Sequence, residues 1–127
     1  MSNELYSLEF EIFELPKMAN PSGSKSTHWR YAQLEVKKWK NLVAVAVGSN
    51  KPRTPLERVA LKLTRFSSVA PDYDGLVRGF KSVVDGLCAC GVLKNDTLKI
   101  TGPWNCEWKP APQKQGKVHV RVEEIEL

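Results

Sequence analysis

Three aspartates in a basic chain set the chemistry to consider. Asp72 and Asp74 lie two residues apart in Val69-Ala-Pro-Asp-Tyr-Asp-Gly-Leu76, with Pro71 before the pair and Gly75 after it. Asp96 follows in Gly91-Val-Leu-Lys-Asn-Asp-Thr97. Closely spaced carboxylates suit a hard cation such as Mg2+, which prefers oxygen ligands and keeps several of its waters. A cation held there activates water and stabilises a leaving oxygen, the two requirements of phosphodiester hydrolysis. Around these acids the chain carries 19 Lys and Arg against 14 Asp and Glu, a formal charge of +5, which favours an anionic partner such as nucleic acid. The same acids also have an ordinary structural use. Asp74 can cap a helix and complement its dipole, and Asn95-Asp96 can make a turn.

The elements that must position these residues are legible from periodicity. Ser7 to Leu15 alternates Leu8, Phe10 and Ile12 with Glu9 and Glu11, the pattern of a half-buried strand that Pro16 ends. Lys17 to Thr27 is rich in Asn, Pro, Gly and Ser and reads as a loop, with Ser26 or Thr27 as a helix cap. His28 to Val47 reads as a helix: Tyr31, Ala32, Val36, Trp39, Leu42, Val43 and Ala46 share one arc, opposite Arg30, Gln33, Lys37, Lys40 and Asn41. Val59 to Ser67 alternates as a second strand and delivers the chain to Pro71. A second helix is expected from Asp74 or Gly75 to about Cys90, with Leu76, Phe80, Val83, Val84 and Leu87 buried and Gly91 at its end. Thr97 to Trp108, a β-rich stretch interrupted by Gly102-Pro103, and Lys117 to Glu124 read as two further strands, joined as a hairpin by Lys109 to Gly116. The expectation is an α+β fold: one domain over residues 1–127, a mixed four-stranded sheet with two helices in the order β-α-β-α-β-β.

Two points of geometry bear on the acids. A helix of about 16 residues spans ~24 Å, so Asp96 meets Asp72 only if Gly91 to Asn95 folds back or a second subunit completes the site. Arg78, Lys81 and Asp85 fall within about 60° of one another on that helix. A cation there can hold a phosphate or the charge that develops in the transition state, while Asp85 at i+4 can serve as a fourth acid or, the preferred reading, pair with Lys81 or act as a polar orienting group.

Read together, Pro71-Asp-Tyr-Asp-Gly-Leu76, Lys81-Ser-Val-Val-Asp-Gly-Leu87 and Gly91-Val-Leu-Lys-Asn-Asp96 resemble the RusA family of Holliday-junction resolvases, common in phages and prophages. The likeness is strong over about residues 70 to 100 and weak towards the ends. It implies a RusA-like fold and a small homodimer that binds branched DNA, above all four-way junctions. It implies an endodeoxyribonuclease making paired, symmetric nicks with Mg2+, or Mn2+ in its place, in DNA recombination and repair. Asp72, Asp74 and Asp96 would be the catalytic, metal-binding acids. The family's helix lysine falls on Arg78 by spacing from Asp74 and on Lys81 by residue type and spacing to Asp85, with Lys81 slightly preferred. Two positions depart from the pattern: Gly75 stands where the family has Asn, and Asn95 where it has Asp. These departures leave a non-cleaving branched-DNA-binding protein of the same fold as the alternative.

DNA contacts are expected from Lys25, His28, Arg30, Lys37, Lys40 and Arg65, with Ser24, Ser26 and Thr27 as phosphate donors and Trp29 as a base-stacking side chain. His28 and His119 show no zinc-ligand spacing, and Cys88, Cys90 and Cys106 form neither a disulfide framework nor a zinc motif. The hydrophobic content of 42% with no long apolar run argues against a membrane span. With no secretory signal at Met1-Ser-Asn-Glu, a cytoplasmic location is expected.

Overall fold

The computed structural model describes residues 5–17 and 25–126, with the side chains of the first helix described from Gln33 onward. Strand β1 (Ser7–Ile12) is followed by α1 (Lys25–Val47), a 3-10 turn (Gly48–Asn50), β2 (Val59–Ser67), α2 (Tyr73–Ala89), a single helical turn α3 (Leu98–Thr101), β3 (Asn105–Pro110) and β4 (Lys117–Glu124). This is an α+β domain with one mixed four-stranded sheet, as its patterning implies. Among the described residues, no helix is long and apolar enough to cross a membrane.

Strand β4 lies inside the sheet, and its alternation buries one row of side chains. Val118, Val120 and Val122 are fully buried, and β4 pairs antiparallel with both β1 and β2. The sheet order is β1-β4-β2-β3. The expected hairpin between the last two strands is therefore absent: β3 runs parallel to β2 at the sheet edge, and β2 separates it from β4. Gly102, at φ +58°, and Pro103 turn the chain out of α3, so the strand expected from Thr97 begins only at Asn105. Pro110 lacks an N–H to donate, and an edge strand tolerates it.

Both long helices share their core with one face of this sheet. Trp39, Val43 and Val47 of α1 and Phe80, Val83, Val84 and Leu87 of α2 are buried against Leu61, Leu63 and the β4 valines. At helical period these positions form the apolar stripes that the sequence implies. Among the described positions of the expected α1 arc, Leu42 and Ala46 are half-buried and Val36 is 39% exposed, while the side chains of Tyr31 and Ala32 lie outside the described residues.

The two helices approach closely at Gly86. A Cβ there would lie 2.8 Å from Val43 Cγ2 and 3.2 Å from the Trp39 carbonyl oxygen. The carbonyl belongs to a helical backbone and cannot step aside, so any added side chain must push α1 away from α2. Gly86→Val is expected to lower stability by about 2 kcal/mol, within the usual cost of overpacking, read as a lower urea midpoint at unchanged m-value.

Candidate functional site

The acid loop forms where β2 hands the chain to α2. Asp72 is the cap of α2, with its Oδ1 accepting the Gly75 N–H at 2.7 Å and its carbonyl accepting the Leu76 N–H at 3.0 Å. The cap expected at Asp74 thus belongs to Asp72, and Asp74 sits in the first turn, where the helix dipole favours a carboxylate. Both side chains are exposed. Tyr73 lies between them and is also exposed.

Asp74, Arg78, Lys81 and Asp85 lie along one helix face. At 100° per residue they occupy an arc of about 60°, and the first three span roughly 10 Å of helix rise. The opposite face of α2 is committed to the core.

Asp96 reaches this face because the chain reverses after α2. Gly91 adopts φ +90°, a conformation that disfavours any side chain. The Val92 and Leu93 N–H groups both donate to the Leu87 carbonyl, at 2.9 and 3.3 Å. An isolated bridge between Leu56 and Leu93 then pins the returning segment, with Leu56 N–H to Val92 O at 2.8 Å and Lys94 N–H to Leu56 O at 3.1 Å. Asn95 Oδ1 accepts from the Thr97 N–H and hydroxyl, closing a local turn. As a result Lys81 Nζ donates to Asp96, and it also pairs with Asp85 at 3.0 Å.

Lys81 and Asp96 shift one another in the expected directions. Its hydrogen bond and charge hold the Asp96 carboxyl below the ordinary carboxylate range. The hydrogen bond to Asp96 raises Lys81 above the ordinary ammonium value, against an opposing effect of partial burial. The cluster of Lys81, Asp85 and Asp96 carries a formal charge of −1. Arg78 is exposed and has no side-chain partner among the described residues.

A groove of about 380 Å³ runs beside this cluster, lined by Lys40, Asp85, Cys88, Lys94, Asn95 and Asp96, with Val36 at its side. Lys40, expected to meet DNA from α1, is thus next to two of the acids. Lys37 is exposed on the same helix. The side chains of Lys25, His28, Trp29 and Arg30, with those of Ser26 and Thr27, lie outside the described residues, as does Ser24.

Arg65 corrects the expected DNA surface. It is only 8% exposed, its Nη1 donates to the Pro16 carbonyl at 2.9 Å, and its Nε has no partner. It points inward because it alternates in phase with Leu61 and Leu63. The thiols offer no reactive thiolate at neutral pH. Desolvation by burial, then the Asp96 and Asp85 charges, push Cys88 up to about 11, and burial pushes Cys106 to about 11. His119 is engaged by Glu9 at 2.7 Å on the far face of the sheet.

The donor chemistry of Asp72 and Asp74 suits Mg2+: both are exposed carboxylates, and neither is neutralised by an ion pair among the described residues. Asp96 does not join them within one chain. It is held by Lys81, and among the described residues no three His, Cys, Asp or Glu side chains converge on a cation position. No protein-family model matches the sequence, and no curated protein matches it significantly.

Proposed function

We propose that this protein is a divalent-cation-dependent endodeoxyribonuclease acting on branched DNA, of the RusA type. The observation that carries the reading is the α2 face itself. Two exposed acids begin it, an arginine with no side-chain partner among the described residues follows one turn later, and Asp96 has been folded back onto it. In this reading Asp72 and Asp74 hold Mg2+, which when bound supplies an activated water and charge neutralisation at the leaving oxygen. Arg78 holds the scissile phosphate, about 6 Å of helix rise from Asp74. Its charge is unmatched among the described residues, whereas that of Lys81 is outweighed by two carboxylates. Arg78 is therefore the better phosphate cation, in place of the Lys81 that residue type favours. Lys81 and Asp96 are positioning residues that fix the returning loop beside the acids. Lys37 and Lys40 attract the flanking backbone, and Tyr73 is available to stack on an unpaired base.

Paired cuts on opposite strands need two such faces, so the working form proposed is a homodimer. Leu34 and Val45 support a second copy: both are well exposed, at 61% and 81%, and their spacing places them within about 20° on α1.

The test is a labelled four-way junction and a linear duplex of the same sequence, incubated with the protein in Mg2+, in Mn2+ and in EDTA. Paired nicks in the junction alone, lost in EDTA, are the expected result. Tight junction binding with no nicking in either metal would reject the nuclease in favour of a non-cleaving binder. Absence of junction binding at low salt would reject both.

A further inference from the structure

A second groove shares Lys94 and Asn95 with the first, and the proposed function does not use it. It encloses about 660 Å³ and is lined by Glu57, Arg58, Lys94, Asn95, Lys99 and their neighbours, with the exposed Leu98 among them. Its three cations face one acid. Lys94 Nζ pairs with Glu57 at 3.0 Å, while the side chains of Arg58 and Lys99 have no partner among the described residues. The groove is therefore a concavity with two uncompensated positive charges. Its walls are held by backbone bonds: the Leu56–Leu93 bridge fixes one side, and the Arg58 carbonyl accepts the Ile125 N–H at 2.9 Å. Lys94 and Asn95 line both this groove and the one that contains Asp96 and Lys40. The two concavities thus share a single ridge.

We infer that this groove is a phosphate-binding channel for a nucleic-acid strand as it leaves the acid face, with Arg58 and Lys99 each taking one backbone phosphate. This rests on the nuclease reading for its substrate, but it is a separate site with separate residues. The volume exceeds what a lone phosphate fills. The shared ridge gives a strand on the α2 face a direct path into the channel. An arginine and a lysine on different segments suit successive phosphates of a backbone, the arginine through its planar fork and the lysine as a point charge. Asn95 adds a polar side chain at the crossing point, although its carbonyl oxygen is already engaged by Thr97.

Counterion release supplies a readout that a merely structural role would not move. Each phosphate neutralised contributes about 0.7 to 0.9 to the slope of log K against log salt. Binding of a labelled four-way junction in EDTA, where no cutting occurs, is measured across a NaCl series. Three proteins are compared: wild type, Arg58→Gln/Lys99→Gln, and a control, Lys62→Gln/Arg121→Gln, on the far face of the sheet. The channel variant is expected to bind more weakly, with a slope shallower by about 1.4 to 1.8. The control should keep the wild-type slope, and so should the charge-conserving Arg58→Lys/Lys99→Arg. A channel variant with the wild-type slope, or a control that loses as much, overturns the channel. If that happens while wild type still nicks junctions in Mg2+, the channel fails alone. If wild type neither binds nor nicks, the function and the channel fall together.

Discussion

On the proposed nuclease function, Asp74→Asn is expected to reduce Mg2+-dependent nicking of a four-way junction on the order of 10³-fold, the scale set by losing a group that stabilises charge at the reacting centre. Binding of the junction in EDTA should hold or tighten, because a negative charge is removed from the surface proposed to meet phosphates. The fold should be nearly unaffected, since Asp74 is exposed and the capping bond belongs to its neighbour. Asp72→Asn makes the companion case. Asparagine caps a helix about as well as aspartate, so the bond to Gly75 survives while the ligand charge is lost. Asp72→Asn should therefore match Asp74→Asn in lost nicking and leave the urea midpoint unchanged. Asp72→Ala should also lose the cap, lowering stability by about 1 kcal/mol. The signature of ligation is a raised Mg2+ concentration for half-maximal activity in both asparagine variants. If Asp74→Asn nicks at the wild-type rate, Asp74 is a first-turn dipole partner and the metal reading is wrong.

The residues that were legible in the sequence are those whose placement depends on local period. Val118, Val120 and Val122 alternate with His119 and Arg121, and they define β4 as observed. Val59 to Ser67 does the same for β2. Arg65 carried its own signal in that strand: it keeps the phase of Leu61 and Leu63, so its burial follows from alternation, and only its charge suggested a surface role. What local pattern could not convey was pairing between distant segments. The loop Lys109 to Gly116 has hairpin chemistry, yet β3 joins the sheet on the other side of β2, because strand order is decided by contacts far apart in sequence. Asp96 shows the same limit. The helix length of α2 places it remote from the acid loop unless Gly91 to Asn95 folds back; the Gly91 reversal with the Leu56–Leu93 bridge returns it to Lys81 on the α2 face, and not to Asp72 and Asp74. Arg58 is remote from Lys94 and Lys99 in sequence, and the Leu56–Leu93 bridge with the Lys94–Glu57 pair brings the two segments together.

The two cations of α2 give the second large effect, and they separate by charge. Arg78→Met is expected to lower nicking by about 10²-fold, the usual loss on removing one donor to transition-state charge, and to leave the Mg2+ requirement unchanged. Lys81→Met should cost about tenfold or less, because its ammonium is already matched by Asp85 and Asp96. Asp96→Asn should cost about the same as Lys81→Met. The double variant Lys81→Met/Asp96→Asn should be no worse than either single one, the non-additivity of residues that act as a unit. Neither change should alter stability by more than about 1 kcal/mol, since the pair is substantially exposed. The pH dependence follows from the signs of the shifts. The Asp96 pKa is lowered on folding, so its contribution is complete above the unfolded carboxylate value near ~4 and is lost as pH falls through the lowered value. The Lys81 pKa is raised, so its contribution is complete below the unfolded value near ~10.4 and is lost as pH rises through the raised one. The tie therefore stands throughout about pH 6 to 9, and Lys81→Met should scale the activity profile there without shifting it. If Asp96→Asn instead raises the Mg2+ needed for half-maximal activity as Asp74→Asn does, Asp96 is a metal ligand in the working dimer and its tie to Lys81 must break before the cut.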